Sequence, residues 1–258
     1  SHYQLIDQAT QREQISRMKM LAGHFIWGFQ RHVKGPYLMI TALRNPLEVF
    51  VSGQQYLHRK KTKTLEKAHE FVGQAMRRVI KSAGSPTGTT HGIDGRYQKQ
   101  LGGEGSVAIS QSGNMFSELR YIRRFVGKDK KVLDGEALAA AAGEAIRNLE
   151  TFWIVGVVEQ YAGFEEVLRR SLDPRGKHRE LWDKYSSMKY NSSPVGSRDV
   201  LAGIDSEVVR HFNGSLALQW RVYEAAVSLW SVRCQEVLPS KAHQEMCRVP
   251  SPAETYVR

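Results

Sequence analysis

The sequence predicts an α/β fold in which a parallel sheet is flanked by helices. Two short runs of apolar and β-branched residues, at 37–43 and 152–158, are typical of buried strands and too short for buried helices. Helical segments lie between them, and a strand, a crossover and a second strand favour parallel pairing. The chain has 258 residues and can bury roughly three quarters of its unfolded surface, which is enough for a single domain over residues 1–258.

The N-terminal half supplies the first strand and three predicted helices. Residues 4–21 show an amphipathic helical pattern. After the strand at 37–43, Asn45 can cap the next helix and Pro46 fits its first turn, where a missing N–H costs little. This helix should run to about residue 59, and it offers three side chains for packing: Val49, Phe50 and Tyr56. A further helix is predicted over 64–81.

The C-terminal half supplies the second strand. Residues 83–113 contain eight glycines and predict a long surface excursion. An alanine-rich helix over 135–150 leads into the strand at 152–158. The next helix should pack back on the sheet through Phe164, Val167, Leu168 and Leu172. Near the C-terminus a core stripe at helical spacing comprises Leu216, Trp220, Tyr223, Val227 and Trp230, and residues 236–258 form a tail.

The charge balance indicates the sign of the charge that a binding partner should carry. Lys and Arg number 37 against 26 Asp and Glu, a net charge of +11, which favours polyanions such as sulfated or uronic-acid glycans. Basic clusters occur at 59–63, 77–81, 120–124 and 128–131, although such runs are usually solvated faces. No nucleic-acid-binding motif accompanies the charge, so nucleic acid is not expected as a partner. The nine histidines show no metal-ligand spacing, and no metal is expected.

The two cysteines bear on the compartment. Cys234 and Cys247 can close a short loop as a disulfide in an oxidising compartment, or remain two buried thiols. Glycosylation sequons begin at Asn191 and Asn213 and lean toward a secretory lumen.

The segment after the first strand has the outline of a phosphate site. The strand ends at Arg44, beside the N-terminus of the helix that starts at Pro46. Unpaired amide groups and the positive end of a helix dipole favour an anion there, and Ser52 lies two turns further along the same helix. An arginine before an Asn-Pro helix start can equally pair with a surface carboxylate.

The same residues carry a resemblance to a known family. Leu43-Arg44-x-Pro46, with Ser52 eight residues after the arginine, resembles the 3′-phosphate motif of sulfotransferases that use 3′-phosphoadenosine-5′-phosphosulfate (PAPS). The resemblance implies that Arg44 and Ser52 bind the 3′-phosphate of the nucleotide. The carbohydrate sulfotransferases usually carry a second arginine where this chain has Val49. This difference affects the expected substrate more than the expected nucleotide.

Other segments extend this similarity over residues 20–235. The run from Ile154 to Glu159 resembles the late Val-Gly-x-x-Glu strand of the glycan sulfotransferases. Arg120-Tyr121-Ile122 and Tyr223-Glu224 are similar to two further short patterns of that family. Heparan and uronyl 2-O-sulfotransferase-like proteins are closest in pattern. The fold implied is the P-loop-kinase-like sulfotransferase fold, incomplete at the N-terminus.

The resemblance also names a catalytic base. A Gly-His segment upstream of the 3′-phosphate strand supplies the base in glycan 2-O-sulfotransferases, and His24 matches it by position. A neutral imidazole can take the proton of a sugar hydroxyl, although His24 can also be a partly buried histidine bonded to backbone. Residues 189–198 fall where the family has a basic loop that closes over the nucleotide.

One expected part is missing. The family's Pro-Lys-x-Gly phosphosulfate loop does not precede Arg44, and residues 85–90 imitate it only with threonine in place of lysine. Either the sequence begins downstream of this loop or the loop has been lost. The first reading predicts a PAPS-dependent carbohydrate O-sulfotransferase of the Golgi lumen that acts on an anionic or neutral glycan, with an N-terminal membrane anchor outside this sequence. The second predicts a catalytically silent domain that binds polyanions or glycans.

Overall fold

The computed structural model describes residues 27–33, 35–59, 61–83, 120–126, 135–186, 195–238, 240 and 245–249. In chain order the elements are β1 (Ile40–Leu43), α1 (Pro46–Leu57), α2 (Leu65–Ala83), α3 (Arg120–Val126), α4 (Gly135–Leu149), β2 (Ile154–Val157), α5 (Tyr161–Leu172), α6 (Arg179–Ser186), α7 (Ser197–Ala202), α8 (Ser206–Ser215) and α9 (Ala217–Val237). Short 3-10 turns occupy Phe29–His32 and Val158–Gln160. The predicted helix over 4–21 and the glycine-rich stretch after Ala83 lie outside the described residues.

The two strands form a parallel sheet flanked by helices, as the sequence predicts. Ile40 lies opposite Ile154 and Leu43 lies opposite Val157. All four residues of β2 are buried, because α9 and α5 pack against this strand. At Gly156 the packing is closest, since a Cβ atom there would overlap the ring of Phe164.

The first strand is shorter than the sequence predicts. Tyr37 and Leu38 are exposed, and the strand begins only at Ile40. The amides of Trp153 and Ile154 both donate to the carbonyl of Met39, so pairing with the second strand starts at this point. The prediction of a buried strand over the whole of 37–43 was therefore wrong for its first half.

The predicted helices are confirmed for α1, α2, α4, α5 and α9, with ends that differ by a few residues. Two packing predictions were wrong. Tyr56 is exposed and stacks under the guanidinium of Arg59 at 4.5 Å, instead of joining Val49 and Phe50 in the core. Leu172, the last residue of α5, is exposed, whereas Phe164 and Val167 earlier in the helix are buried. The helices α3, α6, α7 and α8 were not anticipated.

A single hydrophobic core draws on both strands and on α1–α5 and α7–α9. The C-terminal stripe is confirmed as part of it, with Trp230 fully buried. On the outer side of α5, Glu166 accepts hydrogen bonds from Arg169 and Arg170 at 2.6 Å. These two guanidinium groups, that of Arg169 foremost, lower the pKa of Glu166 to about 2.

Part of the predicted tail is fixed to the domain. Cys234 on α9 forms a disulfide with Cys247, which settles the alternatives left open by the sequence. The indole N–H of Trp230 donates to the carbonyl of Cys247 at 3.1 Å, and Gln160 donates to the carbonyl of Arg248. Within the described part of the chain, no helix has the length and apolar character needed to cross a bilayer.

Candidate functional site

The candidate site lies where the two parallel strands end. Arg44 and Asn45 follow β1, and Glu159 follows β2. Because the strands are parallel, their carboxyl ends share one edge of the sheet, which is where α/β proteins commonly bind ligands. The amide of Asn45 donates to Oε1 of Glu159 at 2.6 Å, so the two strand ends are joined directly.

Asn45 caps α1 as the sequence predicts. Its Oδ1 accepts from the amides of Leu47 at 3.0 Å and Glu48 at 3.4 Å, and Pro46 occupies the first turn. The amide of Arg44 donates to the hydroxyl of Tyr121 at 3.0 Å. The amides at this end of the helix thus already have protein partners. The expectation of free amide donors beside Arg44 was wrong, and an anion here must be bound by side chains.

Two tyrosines from distant parts of the sequence complete the turn. The hydroxyl of Tyr121 donates to the carbonyl of Arg44, and the amide of Tyr121 donates to Oε1 of Gln219 at 2.9 Å. The hydroxyl of Tyr223 donates to Oε2 of Glu159 at 2.9 Å. Both carboxylate oxygens of Glu159 are therefore engaged, and the turn at residues 44–45 is held from α3, α9 and the end of β2.

The environment of Glu159 opposes its ionisation. Burial raises the pKa of this carboxyl above its ordinary value. The hydrogen bonds from the amide of Asn45 and the hydroxyl of Tyr223 act in the opposite direction, and the nearby carboxylate of Glu48 adds to the rise. Desolvation is the dominant cause, as expected for a carboxylate with few charged partners.

Arg44 itself forms an ion pair with Glu48, one turn into α1. Its Nε and Nη2 donate to Oε2 of Glu48 at 3.1 and 2.8 Å. The other oxygen, Oε1, accepts from Nε of Arg198 at 3.0 Å. The Glu48 side chain is only 5% exposed, whereas Arg44 is 33% and Arg198 58% exposed. A buried carboxylate thus joins two guanidinium groups that reach the surface.

Ser52 lies one turn beyond Glu48 and is partly buried. Glu48 and Ser52 are four residues apart on α1 and therefore lie on one side of this helix, whereas Arg44 precedes the cap and reaches Glu48 through its side chain. No hydrogen bond joins Ser52 to Arg44 among the described residues. The structure thus places Arg44 in contact with Glu48, and Ser52 one turn beyond Glu48 on α1.

The remaining predicted site residues are not described. His24 and residues 85–90 lie outside the described residues, and so do positions 189–194 of the segment at 189–198. Of the basic clusters, Arg77, Arg78 and Lys81 are exposed on α2.

A shallow pocket of about 470 Å³ lies between α5 and α6, lined by Leu172, Asp173, His178, Leu181 and Trp182. The Asp173 carboxylate accepts the amides of His178 and Lys177 at 2.8 Å, and these bonds lower its pKa. The pocket shares no residue with the cluster around Arg44. Among the described residues, no group of His, Cys, Asp and Glu side chains is arranged to hold a metal ion.

Comparison with known proteins gave no match: no family model, curated protein or solved structure is similar to this chain.

The arrangement is chemically suited to holding an anion. Two guanidinium groups reach the surface beside the carboxyl ends of two parallel strands, and guanidinium binds phosphate strongly and in a defined geometry. Sequence reasoning missed Glu48 and the contact of Arg198 with it, although Arg198 ends the segment at 189–198 that was expected beside the nucleotide. The four-residue spacing of Arg44 and Glu48 was a readable signal for an ion pair, whereas nothing in the sequence links Arg198 to a residue 150 positions away.

Proposed function

We propose that this chain is a PAPS-dependent carbohydrate O-sulfotransferase with a P-loop-kinase-like sulfotransferase fold. In this proposal Arg44 and Ser52 bind the 3′-phosphate of the nucleotide, and His24 is the general base. The observation that carries the proposal is the convergence of Tyr121, Glu159 and Tyr223 on the turn at Arg44.

This convergence supports the proposal because the sequence did not require it. Four short patterns resemble sulfotransferase segments, and they are separated by 77 residues between Arg44 and Tyr121 and by 64 between Glu159 and Tyr223. Patterns that resembled the family by chance would have no reason to meet at one turn. Here a hydrogen-bonded residue from each of the other three segments contacts Arg44, Asn45 or a partner of Asn45.

The side chains around Arg44 determine how a phosphate would bind. Arg44 directs Nε and Nη2 at Glu48, and a third of its side chain is exposed, so the Nη1 side of the guanidinium can face a ligand. Ser52 adds a hydroxyl donor one turn beyond Glu48 on α1. Because the helix amides are occupied, the affinity comes from charged side chains and should fall as salt is raised.

The proposed reaction transfers a sulfuryl group. The acceptor hydroxyl oxygen forms a bond to sulfur, the bond from sulfur to the bridging phosphate oxygen breaks, and adenosine 3′,5′-bisphosphate leaves. His24 takes the proton of the hydroxyl. Arg44 and Ser52 hold the donor at its far end, so they contribute binding and alignment and do not touch the sulfur.

The net charge and the disulfide support a class of acceptor and a compartment. A net charge of +11 favours an anionic glycan as the acceptor. The disulfide between Cys234 and Cys247 supports an oxidising compartment, in line with the proposed Golgi lumen.

A nucleotide titration tests the proposal. Calorimetry with adenosine 3′,5′-bisphosphate compares the wild type with Arg44→Ala. Arg210→Ala on α8 serves as a control because Arg210 is exposed and pairs with Glu207, three residues before it on the same helix. We expect Arg44→Ala to lose about 1.5–3 kcal/mol of binding free energy, since a charged hydrogen bond is removed. Equal affinities of wild type and Arg44→Ala would remove Arg44 from the site.

A second candidate is a glycan-binding domain without transferase activity. The ion pair of Arg44 with Glu48 and the occupied amides favour this candidate, because both features also suit a purely structural arginine. Sulfate transfer from PAPS to desulfated heparan, measured with the full-length protein, separates the two. The enzyme proposal expects turnover that His24→Ala reduces by roughly a hundredfold or more while nucleotide binding is kept. Glycan binding with no turnover by the wild type would favour the silent domain.

A further inference from the structure

The pocket between α5 and α6 has one wall built by a tight turn. Directly after α5, the carboxylate of Asp173 accepts the amides of Lys177 and His178, both at 2.8 Å. The carbonyl of Asp173 accepts the amide of Gly176 at 3.0 Å, and Gly176 has a φ of 64°, a conformation that favours glycine. Asp173 is only 8% exposed, so water competes little for these bonds. A buried carboxylate thus fixes the shape of the turn.

The turn passes directly into α6, which supplies the opposite wall. The carbonyl of His178 accepts the amides of Leu181 at 3.0 Å and Trp182 at 3.2 Å. Leu172 and Leu181 are about half exposed, and together with the partly exposed Trp182 they line the pocket. Single exposed apolar side chains are ordinary on a protein surface, whereas three that line one concavity indicate a binding surface. The volume of about 470 Å³ lies in the usual range of ligand pockets, roughly 300–1,000 Å³.

The edge of the pocket at the turn is positively charged. Residues 174–179 include two arginines and one lysine, all exposed, and no acidic residue. The helix α6 adds two acidic residues, Glu180 and Asp183. Asp183 lies 3.9 Å from Arg179 in a solvent-exposed ion pair, which neutralises little of the charge at the turn. An anionic ligand therefore fits this edge better than a cationic one.

We infer that this pocket binds a short stretch of an anionic glycan, at a site separate from the cluster around Arg44. The apolar face of a pyranose ring packs on an aromatic side chain, here Trp182, and the imidazole of His178 can hydrogen-bond a sugar hydroxyl. A carboxylate or sulfate group on the sugar pairs with Arg175 or Lys177 at the turn. The inference goes beyond the proposed function, because it holds for a transferase and for a silent glycan-binding domain alike.

A lipid surface is the other class of partner that basic and apolar side chains suggest. Side chains that enter a bilayer protrude from one face of an amphipathic helix. Here the apolar side chains line a concavity between two helices, and α6 has only eight residues. The concave shape therefore favours a discrete ligand over a membrane.

The test uses a sulfated oligosaccharide as the probe. The full 258-residue chain is titrated with a heparin hexasaccharide and, as a neutral control, with maltohexaose, and binding is followed by calorimetry and tryptophan fluorescence. We expect Trp182→Ala to weaken binding of the heparin hexasaccharide about fivefold to thirtyfold, since the stacking surface is removed. Lys177→Ala should weaken it about threefold to tenfold, and this loss should shrink as salt is raised. Arg210→Ala is the control for the loss of one exposed cation and should change the affinity less than twofold.

A conservative variant locates the binding site. Trp182→Phe keeps an aromatic ring, so it should keep most of the affinity while losing the part of the fluorescence change that comes from Trp182. Lys177 is exposed and bonds Asp173 only through its backbone amide, so Lys177→Ala should keep the fold. This variant tests the pocket even if Trp182→Ala lowers the melting temperature.

The outcomes separate this inference from the proposed function. If Trp182→Ala and Lys177→Ala bind the hexasaccharide as Arg210→Ala does, the pocket is not a glycan site and the inference is refuted. A loss in Arg44→Ala alone would place the glycan at the transfer site, which refutes the inference and leaves the proposed function intact. The pocket variants should bind adenosine 3′,5′-bisphosphate as the wild type does, so a failed nucleotide titration would not affect the pocket. Binding to phosphatidylserine vesicles that Trp182→Ala abolishes, without hexasaccharide binding, would assign the pocket to lipid and overturn the inference.

Discussion

Replacing Glu159 tests how firmly the turn at Arg44 is held. Glu159→Ala removes the acceptor of two donors, the amide of Asn45 at 2.6 Å and the hydroxyl of Tyr223 at 2.9 Å. Asn45 is 6% and Tyr223 4% exposed, so water has little access to either donor. Each buried donor without a partner costs about 1–3 kcal/mol. Removing a desolvated carboxylate offsets part of this cost. We expect a net loss of about 2–4 kcal/mol at pH 7.

The matched variant Glu159→Gln separates charge from hydrogen bonding. The amide oxygen of Gln still accepts from Asn45, and its size is that of Glu, so the loss at pH 7 should be about 1 kcal/mol or less. Tyr223→Phe removes only one of the two bonds and should lie between the two Glu159 variants. The measurement is urea unfolding followed by far-ultraviolet circular dichroism, with equal slopes required for comparison.

The pH dependence follows from the raised pKa of Glu159. The ordinary value is near 4.5, and the folded value is higher because of burial. Between these two values the folded state binds more protons than the unfolded state, so stability falls as the pH rises through this window. Glu159→Gln cannot lose a proton, and its stability relative to wild type should therefore improve as the pH rises from 4.5. A stability difference that stays constant with pH, or a Glu159→Ala variant within 0.5 kcal/mol of wild type, would refute this reasoning.

Three further predictions concern the rest of the domain. Glu166→Gln should lower the free energy of unfolding in urea by about 1 kcal/mol at pH 7, a value reduced for solvent screening. Because the pKa of Glu166 in the wild type is about 2, the stability difference between wild type and variant should shrink as the pH falls from 4.5 toward 2. Cys234→Ser opens a loop of 13 residues and should cost about 3 kcal/mol, and reductant should destabilise the wild type but not this variant. In Gly156→Ala the new Cβ atom overlaps the ring of Phe164, so this variant should lower stability by about 1–3 kcal/mol. The control is Gly143→Ala on α4, where the nearest side-chain atom is 3.6 Å from the new Cβ atom, and this variant should be neutral or stabilising. Equal melting temperatures of the two variants would contradict the packing at β2.

The helices and strands were predictable because their signals are local. The Asn45-Pro46 start of α1 uses the side chain and ring of two adjacent residues, and the structure confirms both the cap and the first turn. The long stripe on α9 was equally readable, since its large side chains recur at helical spacing. The error at Tyr37 has a different origin. An apolar run does not reveal where a neighbouring strand begins, and β2 reaches β1 only from Met39 onward.

The candidate site was predictable only in part. Arg44 and Ser52 could be predicted because only eight positions separate them, Arg44 just before α1 and Ser52 within it. The hydrogen bonds of the amides of Arg44 and Asn45 could not be predicted, because their acceptors belong to Tyr121 and Glu159, which are far away in the sequence. Arg198 was inaccessible for the same reason, since the sequence does not indicate that α7 packs on α1.

By itself, the sequence determined the type and order of the main elements, the parallel pairing of the strands and the arginine at the end of the first strand. These depend on side-chain periodicity and on capping chemistry, which act over a few residues. Only the tertiary structure decided that Arg44 shares Glu48 with Arg198, and that the helix amides are closed to a ligand. Hydrogen bonds form between groups that are close in space, and folding alone makes residues 150 positions apart into neighbours.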